Sequence, residues 1–140
     1  MQTSLNLGIA ALDEDLSLTF AVRSSVNAEK VDLLAKLQQL AQFHGAAYSQ
    51  MGDYPAWEYK ADSRLRDTMV LVYRDMFKAE PQVVAIHAGL ECGLLSEKLP
   101  GLDCVSIGPE MHDIHTSRER LGIASVERTW QFILEVLKNL

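Results

Sequence analysis

Apolar and polar residues alternate along two short segments near the amino terminus. In residues 16–22, Leu16, Leu18, Phe20 and Val22 alternate with smaller or polar residues, which places four apolar side chains on one face of a strand. Residues 5–11 are also predicted as a strand, and Asp13-Glu14-Asp15 connects the two segments. The pattern therefore predicts an antiparallel hairpin.

The spacing of the apolar residues then becomes that of a helix. Asn27 is predicted to cap this helix, and Gly45 is predicted to end it in the left-handed conformation. Extended segments are predicted at residues 46–50 and 56–59. The first sixty residues thus have a predicted order of β-β-α-β. The apolar positions of the helix, at three- and four-residue intervals, are Val26, Leu33, Leu34, Leu37, Leu40 and Ala41.

Helices and apolar strands alternate in the rest of the chain. A helix that begins at Asp62 or Ser63 is predicted to stop at Pro81. Apolar runs at residues 82–87 and 103–107 are typical of strands covered on both faces, and a helix is predicted between them at 91–98. This order predicts an α/β layer, with a boundary between two parts near residues 60–63. A last helix is predicted at 125–140, with Val126, Trp130, Ile133, Leu137 and Leu140 facing inward.

The second part contains a difficulty, because two buried parallel strands cannot form a stable sheet alone. Either another chain completes the sheet, or the 140 residues are a piece of a larger protein. Unfilled sheet edges and apolar faces drive association, so we expect a homo-oligomer rather than a monomer.

Composition narrows the classes of protein that fit. The chain is 48% hydrophobic, which supports a folded core, and no apolar run is long enough to cross a membrane. The start lacks the features of a signal peptide. The net charge of −6 argues against nucleic acid or an anionic membrane as the main partner. Cys92 and Cys104 are too few for a disulfide framework and lack zinc-knuckle spacing, which favours a cytoplasmic setting.

Three segments carry side chains suited to chemistry. Residues 107–119 follow a buried strand and contain His112 and His115 among several carboxylates; the alternative is a polar surface loop. Residues 87–93 enter a helix, and Glu91 could bind or orient a ligand; the alternative is a tight turn. Arg23 ends a strand and could clamp a carboxylate with two hydrogen bonds, or could be a solvated charge.

These segments, in this order, resemble the aminoacyl-histidine dipeptidases. This family is also called Xaa-His dipeptidase or bacterial carnosinase, and it belongs to the carboxypeptidase-G/aminoacylase superfamily of two-zinc metallopeptidases. The resemblance covers essentially all 140 residues. The motifs that carry it are Thr3-Ser4-Leu5-Asn6-Leu7-Gly8, Arg23-Ser24-Ser25, Asp53-Tyr54-Pro55-Ala56-Trp57, His87-Ala88-Gly89-Leu90-Glu91-Cys92-Gly93-Leu94, Val105-Ser106-Ile107-Gly108-Pro109, and His115-Thr116 followed by Glu119.

The resemblance implies a domain organisation. Residues 1–61 are similar to the carboxyl-terminal half of a ferredoxin-like lid, which also serves dimerisation. Residues 62–140 are similar to the closing α/β segment of the zinc-binding catalytic domain. A C-terminal fragment of the enzyme is therefore expected.

The resemblance also implies roles for individual residues. His115 matches the family's last metal ligand, while His112 lies off that position. Asn6 and Arg23 match lid residues that hold the substrate, and Arg23 resembles the one that binds its carboxylate. Glu91 and Glu119 are expected beside the ligands without binding metal, and Glu119 is a candidate acceptor for the second ring nitrogen of His115.

The family's other ligands and its general-base Glu would lie upstream of residue 1. The full-length enzyme is expected to bind two zinc ions per subunit and to hydrolyse carnosine-like Xaa-His dipeptides with metal-activated water. One histidine cannot hold a catalytic zinc, so this chain alone is expected to be inactive and to bind metal weakly.

Two other interpretations stay open. The chain could be a stand-alone, dimerising α/β binding module without catalysis. It could also be a small hydrolase with His87, Glu91, His112 and His115 as zinc ligands, which would require these four side chains to converge on one metal.

Overall fold

The computed structural model describes residues 2–87 and 91–140. The chain divides into two units: Met1–Tyr59 with Val84–Leu102, and Lys60–Val83 with Asp103–Leu140. The first division, between Tyr59 and Lys60, lies next to the boundary predicted near residues 60–63. The domain bounds 1–61 and 62–140 refer to a full-length enzyme and stay a prediction.

The amino-terminal hairpin forms as predicted. Strand β1 (Thr3–Leu12) pairs antiparallel with β2 (Leu16–Ser24), and the register is irregular between Leu7 and Ile9. Leu5 and Leu7 lie at odd positions and Ala10 and Leu12 at even ones, and the extra residue at Gly8 forms a bulge that brings these four to one face, while Ile9 pairs with Thr19 on the other. The bulge therefore gives the hairpin one continuous apolar face. The pairs on it are Leu5 with Val22, Leu7 with Phe20, Ala10 with Leu18, and Leu12 with Leu16.

Helix α1 (Asn27–Phe43) begins one residue earlier than its predicted cap implies. Val26 is the N-cap and makes no side-chain capping bond. Asn27 is therefore not the cap; its Oδ1 instead accepts a hydrogen bond of 2.9 Å from the backbone N–H of Ala56. This hydrogen bond, between residues 29 positions apart, takes the place of the capping bond that was predicted for Asn27.

The end of α1 is confirmed as predicted. Gly45 has a φ of +69°, in the left-handed region that glycine adopts without steric cost. Its N–H donates to the carbonyl of Gln42 at 3.0 Å, and the N–H of Ala46 donates to that of Ala41 at 2.8 Å. These two bonds form a Schellman motif that satisfies the last carbonyls of the helix.

In the second unit, α2 (Arg64–Phe77) begins at the predicted cap. The hydroxyl of Ser63 accepts the N–H of Arg66 at 3.0 Å. The helix ends at Lys78, which is left-handed with a φ of 51°, and not at Pro81. Helix α3 (Glu91–Lys98), in the first unit, has the predicted bounds.

Helix α4 (Ile123–Lys138) packs on α2 with a different face from the one predicted. Phe132 and Val136 are buried against α2, whereas Trp130 is 56% exposed and Leu137 63% exposed. Val126 and Leu140 are exposed as well, so the prediction that these four residues face inward is wrong for this chain. The helix has two apolar faces, and α2 covers one of them. The core residues are Val72, Phe132 and Val136, with Leu65, Met69, Tyr73, Met76 and Phe77 around them.

Three predicted strands do not form in the described chain, and the predicted extended segment at 56–59 joins no sheet there. Residues 46–50, 56–59, 82–87 and 103–107 have no ladder of hydrogen bonds. Besides the β1–β2 hairpin, the described residues contain one further pair, between β3 (Met111–His112) and β4 (Arg120–Leu121). A strand needs a neighbour for its backbone groups, and the described residues supply none to these segments. The mixed α/β class is nevertheless as predicted.

Candidate functional site

The segment that carries His115 is a loop closed at its base by Ser125. The hydroxyl of Ser125 accepts the N–H of Glu110 at 2.8 Å and donates to the carbonyl of Gly122 at 2.5 Å. The N–H of Gly122 donates to the carbonyl of Glu110 at 2.9 Å. Ser125 is only 4% exposed, so one buried hydroxyl joins the two ends of the loop to the start of α4.

Two short turns order the inside of this loop. Both the N–H and the hydroxyl of Thr116 donate to the carbonyl of Asp113, at 3.2 and 2.7 Å. The N–H of Glu119 then donates to the carbonyl of Thr116 at 3.1 Å. Arg120 forms an exposed ion pair with Asp113 at 3.0 Å. The loop is thus ordered by its own polar groups.

His115 lies at the outer part of the loop and is exposed. Its φ is 64°, a left-handed conformation that costs free energy in a residue other than glycine. Its backbone N–H donates to Oε2 of Glu119 at 2.9 Å. Glu119 therefore contacts the main chain of His115, whereas the sequence suggested a contact with the ring. Within residues 2–87 and 91–140, the imidazole has no hydrogen-bond partner.

His112 occupies a different position in the loop. It lies in β3, opposite Arg120 in β4, and is also exposed. The two histidines thus differ in backbone setting, one in a strand pair and one in a left-handed turn.

The described residues do not by themselves form a zinc site. No group of three or more His, Cys, Asp or Glu side chains among them could hold a metal ion. Zinc in proteins takes three or four protein ligands, and a single histidine would supply only one of them. The interpretation with His87, Glu91, His112 and His115 as a self-contained ligand set therefore gains no support.

Asn6 and Arg23 lie on one face of the β1–β2 hairpin. Ser4 pairs with Arg23, and Asn6 pairs with Ala21. Paired residues point to the same side of a sheet, so Asn6 and Arg23 are diagonal neighbours with Cα atoms about 7–8 Å apart. Both are exposed, on the face opposite the apolar one. A single small ligand can therefore reach both side chains.

The strand end that carries Arg23 is anchored by two buried serines. Ser24 shares a hydrogen bond of 2.8 Å with the hydroxyl of Thr3, and its own hydroxyl accepts the N–H of Val26 at 3.0 Å. The N–H of Ser25 donates to the carbonyl of Gln2 at 3.0 Å. These bonds join β1, β2 and the start of α1, and they give the Arg23-Ser24-Ser25 motif a structural reason.

The Asp53-Tyr54-Pro55-Ala56-Trp57 segment is held by α1 and α3. Lys30 binds Oδ1 of Asp53 at 2.7 Å and the carbonyl of Tyr54 at 2.5 Å. In α3, a Cβ atom built on Gly93 would lie 2.9 Å from the carbonyl oxygen of Pro55. Gly93 is therefore required for this close approach.

Glu91 lies in the first turn of α3 and is exposed. Negative charge is favourable at this end of a helix. Ala88, Gly89 and Leu90 of the same motif lie outside the described residues.

No protein-family model matches the chain. The chain is 33% identical over 141 residues to the cytosol non-specific dipeptidase of Escherichia coli, a match that covers 100% of this chain and 29% of that protein. The crystal structure of aminoacylhistidine dipeptidase from Vibrio alginolyticus matches with a TM-score of 0.87 and 31% identity, over 99% of this chain and 29% of that one.

A more distant structure shows the fold alone. Aminopeptidase PepT from Bacillus cereus matches with a TM-score of 0.73 at 15% identity, over 96% of this chain and 39% of that one.

The chain spans about 29% of the length of the two dipeptidases that it matches. The resemblance seen in the motifs is confirmed: over its whole length, this chain is similar to one segment of the aminoacylhistidine and cytosol non-specific dipeptidases, and it shares the mixed α/β fold of that segment.

Proposed function

We propose that these 140 residues form part of a metal-dependent dipeptidase that hydrolyses Xaa-His dipeptides. Residues 1–61 form half of the lid that covers the substrate, and residues 62–140 form the closing segment of the catalytic domain. Two relatives with dipeptidase names match this chain from end to end, which supports the proposal.

The observation that carries the proposal is the amount of apolar surface without a partner. On the hairpin, Leu7 and Leu18 are each 49% exposed, although they belong to one continuous apolar face. On α4, the second apolar face is exposed as well. Soluble domains bury such surfaces. The dipeptidases that match are more than three times as long as this chain. The remaining chain of such an enzyme is the occupant that these faces require.

The site residues have different proposed roles: Arg23 and Asn6 bind the substrate, and His115 binds metal. Arg23 carries a guanidinium that binds a carboxylate through two hydrogen bonds, and Asn6 beside it offers an amide for a polar group of the same ligand. A carboxylate held in this way fixes the position of the peptide bond. His115 offers an imidazole from an ordered loop, and the two zinc ions of the enzyme take their other ligands from outside this chain.

A cytoplasmic location fits the proposal. One relative is named as a cytosol enzyme, and neither Cys92 nor Cys104 forms a disulfide bond within residues 2–87 and 91–140. None of the described helices has the length and apolar character to cross a bilayer.

A chimera tests the proposal directly. These 140 residues replace the matching segment of the Escherichia coli dipeptidase, and metal content and Xaa-His hydrolysis are measured. We expect an active chimera, in which His115→Ala loses at least 100-fold in kcat and about one equivalent of zinc. His112→Ala is the matched control and is expected to stay within 3-fold. An inactive but folded chimera, or equal effects of the two substitutions, would contradict the proposal.

The second candidate function is a dimerising binding module without catalysis. Among residues 2–87 and 91–140, no further strand pairs with the edges of the two-stranded hairpin, and these edges and the exposed apolar face favour the module. Analytical ultracentrifugation of the 140-residue chain separates the two functions, because a self-sufficient module forms one discrete oligomer whose mass does not change with zinc. A broad distribution of species supports the dipeptidase segment instead.

A further inference from the structure

The contact between Glu119 and the backbone of His115 has a consequence for the site. A left-handed residue other than glycine persists where its surroundings determine it. The N–H of His115 is bonded to the Glu119 carboxylate at 2.9 Å, a charge-assisted bond of the stronger kind. At the same time the N–H of Glu119 is bonded to the carbonyl of Thr116. Residues 115–119 are thereby closed into a ring by one side chain.

Among the described residues, none of the other bonds of the loop takes the N–H of His115 as its donor. The Arg120 to Asp113 ion pair and the Gly122 to Glu110 bond form without the main chain of His115, whereas the Thr116 to Asp113 bond closes a four-residue turn in which His115 is the third residue. A positive φ at the third residue is typical of a type II turn, so this bond and the Glu119 carboxylate favour the same conformation of His115. Glu119 adds the bond that holds the His115 N–H in that conformation.

We propose that Glu119 is a positioning residue for His115: its carboxylate holds the His115 N–H and so fixes the left-handed turn that presents the imidazole. Because the carboxylate bonds the main chain, both ring nitrogens of His115 stay available for a ligand. The role of this arrangement in presenting the imidazole to a metal rests on the proposed function. The hydrogen bond between Glu119 and the His115 backbone does not depend on that function.

Amide hydrogen exchange on the 140-residue chain tests the proposal without metal or substrate. Mass spectrometry with residue-level fragmentation of the peptide that spans residues 111–121 gives the rates, and it works for an oligomer as well as for a monomer. We expect exchange at His115 to be at least 10-fold slower than in an unstructured peptide. Glu119→Ala is expected to remove this protection, while Glu119→Gln, which keeps an acceptor oxygen, retains most of it.

Two controls separate positioning from general loosening. Arg120→Ala breaks the neighbouring ion pair and is expected to leave the His115 amide protected. The Gly122 amide reports the base of the loop and is expected to keep its protection in Glu119→Ala. If the Gly122 amide also loses protection in Glu119→Ala, the Glu119→Gln variant decides between the two explanations. A His115 amide that stays protected in Glu119→Gln supports the proposal, and one that loses protection there overturns it.

Equal protection of His115 in the unmodified chain and in Glu119→Ala would also overturn the proposal. An inactive chimera with normal exchange behaviour would instead count against the dipeptidase function alone. The two failures are therefore distinguishable.

Discussion

Ser63 donates a hydrogen bond of 2.6 Å to Oδ1 of Asp103, although forty positions separate the two residues. The other oxygen, Oδ2, accepts the backbone N–H of Leu65 at 3.0 Å. Ser63 is 4% exposed and itself accepts the N–H of Arg66. The carboxylate therefore joins the helix cap to the segment at 103, and together the two side chains satisfy two of the free N–H groups at the start of α2.

Replacing Asp103 by Asn is expected to destabilise the second unit by about 1–2 kcal/mol, because an amide cannot accept from both the Ser63 hydroxyl and the Leu65 N–H as a carboxylate does. Urea unfolding followed by the fluorescence of Trp130, in a Trp57→Phe background, measures the change. Asp75→Asn is the matched control: Asp75 pairs with Lys78 at the exposed end of the same helix, and its replacement is expected to change stability by less than about 0.5 kcal/mol. Equal effects of the two substitutions would contradict the role of Asp103.

The same carboxylate makes the second unit sensitive to acid. Burial raises the pKa of Asp103, but the hydrogen bonds from Ser63 and Leu65 and the charges of Lys60 and Arg66 together outweigh burial and hold the pKa below its usual value. A lowered pKa in the folded state means that ionised Asp103 stabilises the fold above the ordinary carboxyl pKa of about 3.9, and that this contribution is lost as the pH falls through the lowered value.

The difference in unfolding free energy between the unmodified chain and Asp103→Asn is therefore expected to be constant above about pH 5 and to shrink below about pH 4. Unfolding curves at several pH values from neutral downward measure it. A difference that shrinks near pH 6, or does not shrink in acid, would show that another group is responsible.

Gly93→Ala is expected to destabilise the first unit. Alanine gains up to about 1 kcal/mol of helix propensity over glycine, but its Cβ would lie 2.9 Å from the backbone carbonyl oxygen of Pro55. Forcing extra atoms into such a contact costs about 1–3 kcal/mol, so we expect a net loss of up to about 2 kcal/mol.

Thermal unfolding of Gly93→Ala and Gly108→Ala, compared side by side, measures this cost. Gly108 is the matched control because a Cβ there meets no atom within 4 Å. Its replacement is expected to leave the melting temperature nearly unchanged. A Gly93→Ala variant as stable as the unmodified chain would mean that the segment at Pro55 can move away from α3 at little cost.

Arg23→Ala is expected to raise the KM of the chimeric dipeptidase more than it lowers kcat. Loss of a bidentate bond between a guanidinium and a carboxylate costs about 2–3 kcal/mol, which corresponds to about 30- to 160-fold in kcat/KM. Arg23→Lys keeps the charge but loses the bidentate geometry. Its kcat/KM is expected to lie between those of the unmodified chimera and Arg23→Ala.

A substrate with an amidated carboxyl terminus supplies the control for this effect. If Arg23 binds the carboxylate, Arg23→Ala changes the hydrolysis of the amidated dipeptide by less than 3-fold. An equal loss with both substrates would assign Arg23 to the structure of the strand end, where Ser24 and Ser25 already act.

Much of the local structure is predictable because its causes lie within a few residues. The alternation at 16–22 predicted the hairpin, Ser63 the start of α2, and Gly45 the end of α1. The Gly8 bulge was missed, although the change from odd to even apolar positions in β1 was a visible signal for it. These short-range patterns held because the bonds they predict lie within one element or between neighbouring elements, whereas at Asn27 a contact with Ala56 replaced the predicted cap.

The sequence by itself determined the β1–β2 hairpin, the order of the four helices, the C-terminal end of α1 and the bounds of α3. Only the tertiary structure decided which face of α4 meets α2, that Asp103 completes the cap at Ser63, and that Glu119 holds the backbone of His115. Each of these depends on which of several possible partners lies within bonding distance once the chain has folded. The sequence shows that a residue is apolar or carries a carboxylate. The distances in the folded chain decide which partner that residue contacts.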